Sequence, residues 1–218
     1  MPYSTYIFDL DGTLLDTLGD LAASVNYAMS THHLPEHSVD EVRMMVGNGV
    51  RKLMERAIPD GAANPCFDEA FATFRHHYME HQLDTTRPYD GIVETIRELK
   101  MRGCRLAVVS NKMMAATQEL VAHFFPEIEV ASGEHEAAGI RKKPAPDTVY
   151  EALRQLGLVV GGFPADTVYV GDSDVDIATA RNSGLPCISV LWGFRDKPFL
   201  LEHGATTFVS TPQELLTI

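Results

Sequence analysis

Asp9 and Asp11 stand two residues apart where the apolar run Tyr6-Ile7-Phe8 ends, and Gly12-Thr13-Leu14 follow at once. In an extended strand, residues i and i+2 point the same way, so both carboxylates can serve one site. Side by side they repel and need a cation or a shared proton. Oxygen ligands with open positions suit Mg²⁺. Gly12 permits a tight turn, and its N–H can face an anion. An ordinary strand end with acidic turn residues has the same composition, because turns are rich in Asp. Three later segments bear on the choice.

The first is Val108-Val109-Ser110-Asn111-Lys112, read as a strand that ends and opens a helix. A helix N-terminus offers free N–H groups to a phosphate, and the Ser110 hydroxyl and Asn111 N–H would join them; Ser110 as a plain helix cap is the alternative. The second is Lys142-Lys143-Pro144-Ala145-Pro146-Asp147. A lysine ahead of two prolines sits on a stiff turn and can neutralise a phosphate, unless both lysines are simply solvated. The third is Gly171-Asp172-Ser173-Asp174-Val175-Asp176. Asp172 at a strand end can complete a metal site. Asp176, one helical turn on, can hold Lys143 or a metal-bound water. An acidic helix N-terminus, favoured by the helix dipole, is the other explanation.

These residues need elements to carry them. Residues 3–9 read as a buried strand, and Leu18, Leu21, Ala22, Val25, Ala28 and Met29 recur at helical spacing. Ser38-Val39-Asp40-Glu41 is a capping-box pattern. Gly47-Asn48-Gly49 breaks that helix, Val50 to Ala57 restarts one, and Phe67 to Gln82 is helical. Beyond Pro88 the pattern alternates: helix to Arg102, strand 105–110, helix 113–123, strand 128–131, helix from Pro146, strand 167–172, helix 174–183, strand 186–191, and a short strand at 207–209 before a tail helix. Such alternation, with nearly all-apolar strands, predicts an α/β fold: a Rossmann-like parallel sheet with helices on both faces. Ligands in such folds sit at the carboxyl ends of strands, where Asp9, Ser110 and Asp172 are expected. The helices of residues 16–84 interrupt this core after its first strand and read as an inserted cap, leaving 1–15 and 85–218 as the core.

The chain has 218 residues, 45% hydrophobic and 22% charged, the profile of a globular protein. A net charge of −12 argues against a nucleic-acid surface. Cys66, Cys104 and Cys187 form no paired motif, which fits a reducing cytoplasm. Neither a signal peptide nor an apolar run of about 18 residues is evident, so no membrane partner is expected.

Taken in order, Asp9/Asp11, Ser110, Lys143 and Asp172/Asp176 resemble the four motifs of the haloacid dehalogenase-like hydrolases, over essentially the whole chain. The position of the helical insert is similar to that family's cap. An Asp at position 11 looks like the phosphatase branch and weighs against a dehalogenase. Val46 to Leu53, Arg87-Pro88-Tyr89-Asp90-Gly91 and Lys143 to Asp147 look like the phosphoglycolate phosphatases and their close relatives. The Gly47 turn with Arg51 and Lys52 suits a small carboxylate or a second phosphate, or is a helix stop beside solvated basic residues.

The resemblance implies a Mg²⁺-dependent phosphatase of small phosphomonoesters, phosphoglycolate first. Asp9 would be the nucleophile and Asp11 the general acid and base. Asp9, the Asp11 carbonyl and Asp172 would hold the metal. Gly12, Thr13, Ser110, Asn111 and Lys143 would hold the phosphoryl group, with Asp176 orienting Lys143. The expected partner is a small phosphorylated metabolite, and the chain is expected to act as a monomer or homodimer. A sugar-phosphate mutase would return the phosphoryl group to substrate, and a binding module would release no phosphate. His77 and His81 read as a surface helix pair, and Trp192 as a core or rim residue.

Overall fold

The computed structural model describes residues 3–158 and 166–218. β1 (Thr5–Phe8) is buried along its whole length. It pairs in parallel with β4 (Arg105–Met113) on one side and β6 (Thr167–Gly171) on the other. β5 (Val130–Glu134) lies outside β4, and β7 (Cys187–Val190) and β8 (Phe208–Val209) lie outside β6, so the six strands run β5-β4-β1-β6-β7-β8, all parallel. Two short strands, β2 (Leu15–Asp16) and β3 (Arg87–Pro88), pair with each other.

Alternation along the strands explains why both faces are covered. Tyr6, Phe8, Leu106, Val108, Val168 and Val170 point to one face, where they pack with Ile92, Ile96 and Leu99 of α5 (Ile92–Met101) and Leu120 of α6 (Met114–Phe124). Ile7, Ala107, Val109 and Tyr169 point to the other, against Val149 and Leu153 of α7 (Asp147–Gln155) and Ala180 of α8 (Asp174–Ser183). Each large apolar side chain so buried contributes roughly 1.5–3 kcal/mol. The all-parallel α/β sheet is the one the sequence predicts.

The chain forms two compact units, one of residues up to Leu15 with Pro88–Ile218, the other Asp16–Arg87. The second is helical. It holds α1 (Leu18–Thr31), α2 (Val39–Met45), α3 (Val50–Ala57) and α4 (Phe67–His81). The Ser38 hydroxyl accepts from the Glu41 N–H, and the Glu41 carboxylate accepts from the Ser38 N–H at 2.7 Å, the reciprocal cap its spacing predicts. Asp20 is buried in this unit and accepts from the Thr85 and Thr86 N–H groups, both at 2.9 Å.

Three expectations about elements change. β4 does not end at Ser110 but runs on to Met113, and α6 starts only at Met114. Its pairing with β5 shifts register between Val109 and Met113, an irregularity of the kind that re-aims side chains. The tail helix is a short 3₁₀ turn, Pro212–Leu216. The third is α9 (Lys197–Glu202), a helix the sequence reading lacks, opened by the Asp196 carboxylate accepting from the Phe199 N–H at 2.9 Å.

Candidate active site

Strand order places the site. From β1 the chain steps outward to β4 and β5, then returns to the far side of β1 for β6, β7 and β8. The order therefore reverses beside β1, where such sheets open a crevice at their carboxyl ends. Asp9 leaves β1 there, its N–H held by the Val170 carbonyl at 2.9 Å, and Asp172 leaves β6.

One carboxylate oxygen from each of Asp9, Asp172 and Asp176 lies within 4.8 Å of the others, and all three residues are buried. Lys143 bridges two of them, its Nζ 2.7 Å from Asp9 Oδ1 and 2.8 Å from Asp176 Oδ1. Three carboxylates against one ammonium leave two negative charges uncompensated when all are ionised. Burial and then Asp176 push the Asp172 carboxyl up to about 7, against the pull of the Phe194 N–H, Lys143 and Arg195. Asp9 is raised well above the carboxylate range by burial, Asp176 and Asp172, with Lys143 opposing. Desolvation works against the Lys143 ammonium, but Asp176 and Asp9 outweigh it and hold it above its ordinary value.

The three acids are not equivalent. Asp176 is spent on the protein: its Oδ1 accepts from Lys143 and from the Tyr169 hydroxyl at 3.0 Å, and its Oδ2 accepts from the Asp172 and Ser173 N–H groups at 3.2 and 3.1 Å and the Ser173 hydroxyl at 2.6 Å. It closes a capping box on α8 with Ser173. Asp172 accepts from the Thr13 hydroxyl at 3.2 Å and the Phe194 N–H at 2.7 Å. Asp9 and Asp172 therefore form the hard-oxygen pair facing the excess charge, a donor set that fits a divalent cation such as Mg²⁺.

Lys143 itself is held by Asn111, which accepts from the Lys143 N–H at 2.8 Å and donates to its carbonyl at 3.0 Å. Ser110 is buried, and its hydroxyl accepts from the Lys112 N–H at 3.2 Å. Because β4 continues through them, Ser110 and Asn111 do not open the following helix, so neither a helix-terminal phosphate site nor a Ser110 cap is formed there. Two other expected anion contacts are committed elsewhere. The Gly12 N–H donates to the Leu15 carbonyl at 2.8 Å, and the Thr13 hydroxyl goes to Asp172. Gly12 is needed for a different reason: its φ is +85°, and a Cβ there would stand 2.5 Å from Asp172 Oδ2. The Asp11 carboxylate is turned to Lys112, whose Nζ donates at 2.8 Å.

Gly47 and Arg51 belong to the helical unit. Gly47 has φ +125°, and the Arg51 guanidinium lies over the Phe67 ring at 4.9 Å and 3.4 Å from Glu55. His77 and His81 do not form a metal pair: their rings stack at 4.2 Å, and their Nδ1 atoms meet the Ser24 hydroxyl and the Asp84 carboxylate. Trp192 is half-buried and donates to the Thr13 carbonyl at 3.0 Å, and His135 bridges to Ile140 in the loop before Lys143. Sequence reasoning missed Lys112, Tyr169 and Gly193. Lys112 follows Ser110-Asn111 directly, and Tyr169 lies two residues before Gly171 on β6. Gly193 had a signal only in Trp192-Gly193 after a strand: a Cβ there would run into Asp172 and the Gly12 carbonyl.

Residues 6–190 match the family described as haloacid dehalogenase-like hydrolase. The phosphoglycolate phosphatase of Aquifex aeolicus is 32% identical over 190 residues, 86% of this chain and 84% of that protein. That of Caulobacter vibrioides is 31% identical and covers 99% of this chain and 92% of its own. A crystal structure from Lactobacillus delbrueckii subsp. bulgaricus, provisionally named a phosphoglycolate phosphatase, superposes with a TM-score of 0.90 at 37% identity, covering 99% of this chain and 97% of that one. On these matches the chain belongs to the haloacid dehalogenase-like hydrolases, among their phosphoglycolate phosphatase-like members.

Proposed function

We propose that the protein is a Mg²⁺-dependent phosphatase of small phosphomonoesters, phosphoglycolate foremost, acting through an aspartyl-phosphate on Asp9. The supporting observation is the Asp9–Asp172 pair, within 4.8 Å, beside a lysine that bridges Asp9 and Asp176. Asp9, the Asp11 carbonyl and Asp172 would hold the cation, which when bound neutralises phosphoryl charge and orients the group. An Asp9 oxygen attacks phosphorus as the P–O bond to the leaving group breaks. Asp11 gives its proton to the departing alkoxide, then takes one from the water that cleaves the aspartyl-phosphate. Lys143, with Ser110 and the Asn111 N–H, stabilises the equatorial oxygens. Asp176 orients Lys143, while Gly12 and Thr13 set the position of Asp172.

The helical unit is proposed as the cap that selects substrate and excludes water, with the Gly47 turn and Arg51 as its anion contacts. Among the described residues, no helix is long and apolar enough to cross a membrane, and the proposed setting is the cytoplasm. A panel of phosphorylated metabolites with Mg²⁺, read by released phosphate, tests the proposal. Phosphoglycolate should lead the panel, and Asp9→Asn should abolish turnover while the fold stays intact. An isomerised sugar phosphate in place of free phosphate would make the protein a mutase. No phosphate release from any ester would overturn catalysis altogether.

A further inference from the structure

Lys112 is a cation that the mechanism above leaves unused. Its side chain is 1% exposed, and its Nζ lies 2.8 Å from Asp11 Oδ1. Burying an ammonium is costly unless it is paired. Here the pairing falls on the proposed general acid. Asp11 sits in a turn after β1, and such a carboxylate has more than one place to go. It lies two residues from Asp9, so it has a path toward the same cation. It does not take that path: the converging carboxylates are those of Asp9, Asp172 and Asp176, and the Asp11 side chain turns to Lys112. Lys112 can reach it because β4 continues past Ser110, with a register shift against β5 between Val109 and Met113. The Lys112 N–H is itself anchored on the Ser110 hydroxyl at 3.2 Å. A sequence that turned into a helix at Ser110 would not deliver the ammonium there.

We infer that Lys112 is a positioning residue: its ammonium donates to Asp11 Oδ1, which keeps that carboxyl out of the metal's ligand set and leaves Oδ2 to carry the proton toward the leaving-group oxygen. The inference rests on the reading of Asp11 as general acid. In that step the P–O bond breaks and the alkoxide takes the Asp11 proton. p-Nitrophenolate is a stable anion and departs without one. Loss of positioning therefore falls selectively on alkyl esters, whereas a merely structural pair would affect both ester classes alike.

The experiment compares kcat on 2-phosphoglycolate and p-nitrophenyl phosphate, with Mg²⁺, for wild type, Lys112→Met, Lys112→Gln, Lys112→Arg and Asp11→Asn. General acid help is worth about 10²–10⁴-fold, and small misplacements cost up to about 10²-fold. Lys112→Met should lose roughly 10–100-fold more on the alkyl ester than on the aryl ester. Lys112→Arg, which keeps the charge, should recover part of that ratio. Lys112→Gln carries the test if the Met variant does not fold by circular dichroism. Equal losses on both esters in the Lys112 variants, with a selective loss in Asp11→Asn, would overturn the role of Lys112 alone. Equal losses in Asp11→Asn as well would remove the general acid and this inference with it. A wild type that releases no phosphate from either ester would instead overturn the proposed function itself.

Discussion

Asp172→Asn should make the metal-free protein more stable at pH 8 and indifferent to Mg²⁺. The wild-type carboxyl lies within 4.8 Å of two others. At that separation, and an effective dielectric of about 20, each like-charge pair costs roughly 3 kcal/mol. The Asp172 carboxyl is held at about 7, raised from 3.8 by burial first and Asp176 second. That shift is worth about 4 kcal/mol between the two protonation states. Because the folded state binds this proton more tightly than the unfolded chain, stability from this group is full at low pH and falls as pH climbs toward about 7. Asparagine removes the charge and can keep both contacts. Its Oδ1 can accept from the Phe194 N–H and its amide can donate to the Thr13 hydroxyl, the two partners of the native carboxylate. Urea unfolding in EDTA should therefore show the variant more stable by about 4 kcal/mol at pH 8, narrowing to about 1.5 kcal/mol at pH 5, where the unfolded carboxyl is already ionised. With Mg²⁺ at about 100 times its Kd, only the wild type should gain, by roughly 2.7 kcal/mol. A variant less stable than wild type at pH 8 in EDTA, or an unchanged difference between the two pH values, would refute the charge argument.

Gly193→Ala should displace Asp172, because the new Cβ would meet its side chain and the Gly12 carbonyl. Calorimetry should record weaker Mg²⁺ binding, and unfolding a loss of about 1–3 kcal/mol. Asp176→Ala strips Lys143 of one carboxylate and the Ser173 cap of α8 of its reciprocal partner. Breaking a buried pair this way should cost about 3–5 kcal/mol in denaturant titration, with kcat falling at temperatures where the variant is folded. Asp20→Ala removes the acceptor for Thr85 and Thr86 in the helical unit and should lower stability by roughly 1–3 kcal/mol. Burial works to raise the Asp20 carboxyl, yet the Thr85 and Thr86 hydrogen bonds hold it below its ordinary value. Wild type alone should therefore lose this increment as pH falls through the depressed folded pKa, which acid unfolding of both proteins checks.

The parallel sheet was legible because its strands are short, apolar and spaced by amphipathic helices, and because acids follow directly on β1 and β6. Local signals also carried α2 and α3: the Ser38–Glu41 reciprocity and the Gly47-Asn48-Gly49 break need no tertiary context. The end of β4 was not legible. Ser110-Asn111-Lys112 is polar and reads as a turn, but all three are buried in the fold, where Asn111 clamps Lys143 and Lys112 meets Asp11. Polar residues within a strand look like its end unless their partners are known, and those of Asn111 and Lys112 are 32 and 101 residues away. α9 escaped for a simpler reason: at 6 residues it is under two turns, too short for periodicity to register.

The same logic explains how one acidic motif does two jobs. Asp172 and Asp176 are four residues apart, and from sequence the first is expected at a metal and the second at Lys143 or a metal-bound water. What separates them is local hydrogen bonding. α8 begins at Asp174 with Ser173 as its cap, so Asp176 is the capping-box partner and the Asp172 and Ser173 N–H groups point at it. With Lys143 and Tyr169 on its other oxygen, that carboxylate is satisfied inside the protein. Asp172 lies outside the helix, with two donors and two negative neighbours. A helix cap thus fixes which acid anchors the lysine, and it leaves Asp172 beside Asp9 as the carboxylate available to the proposed cation.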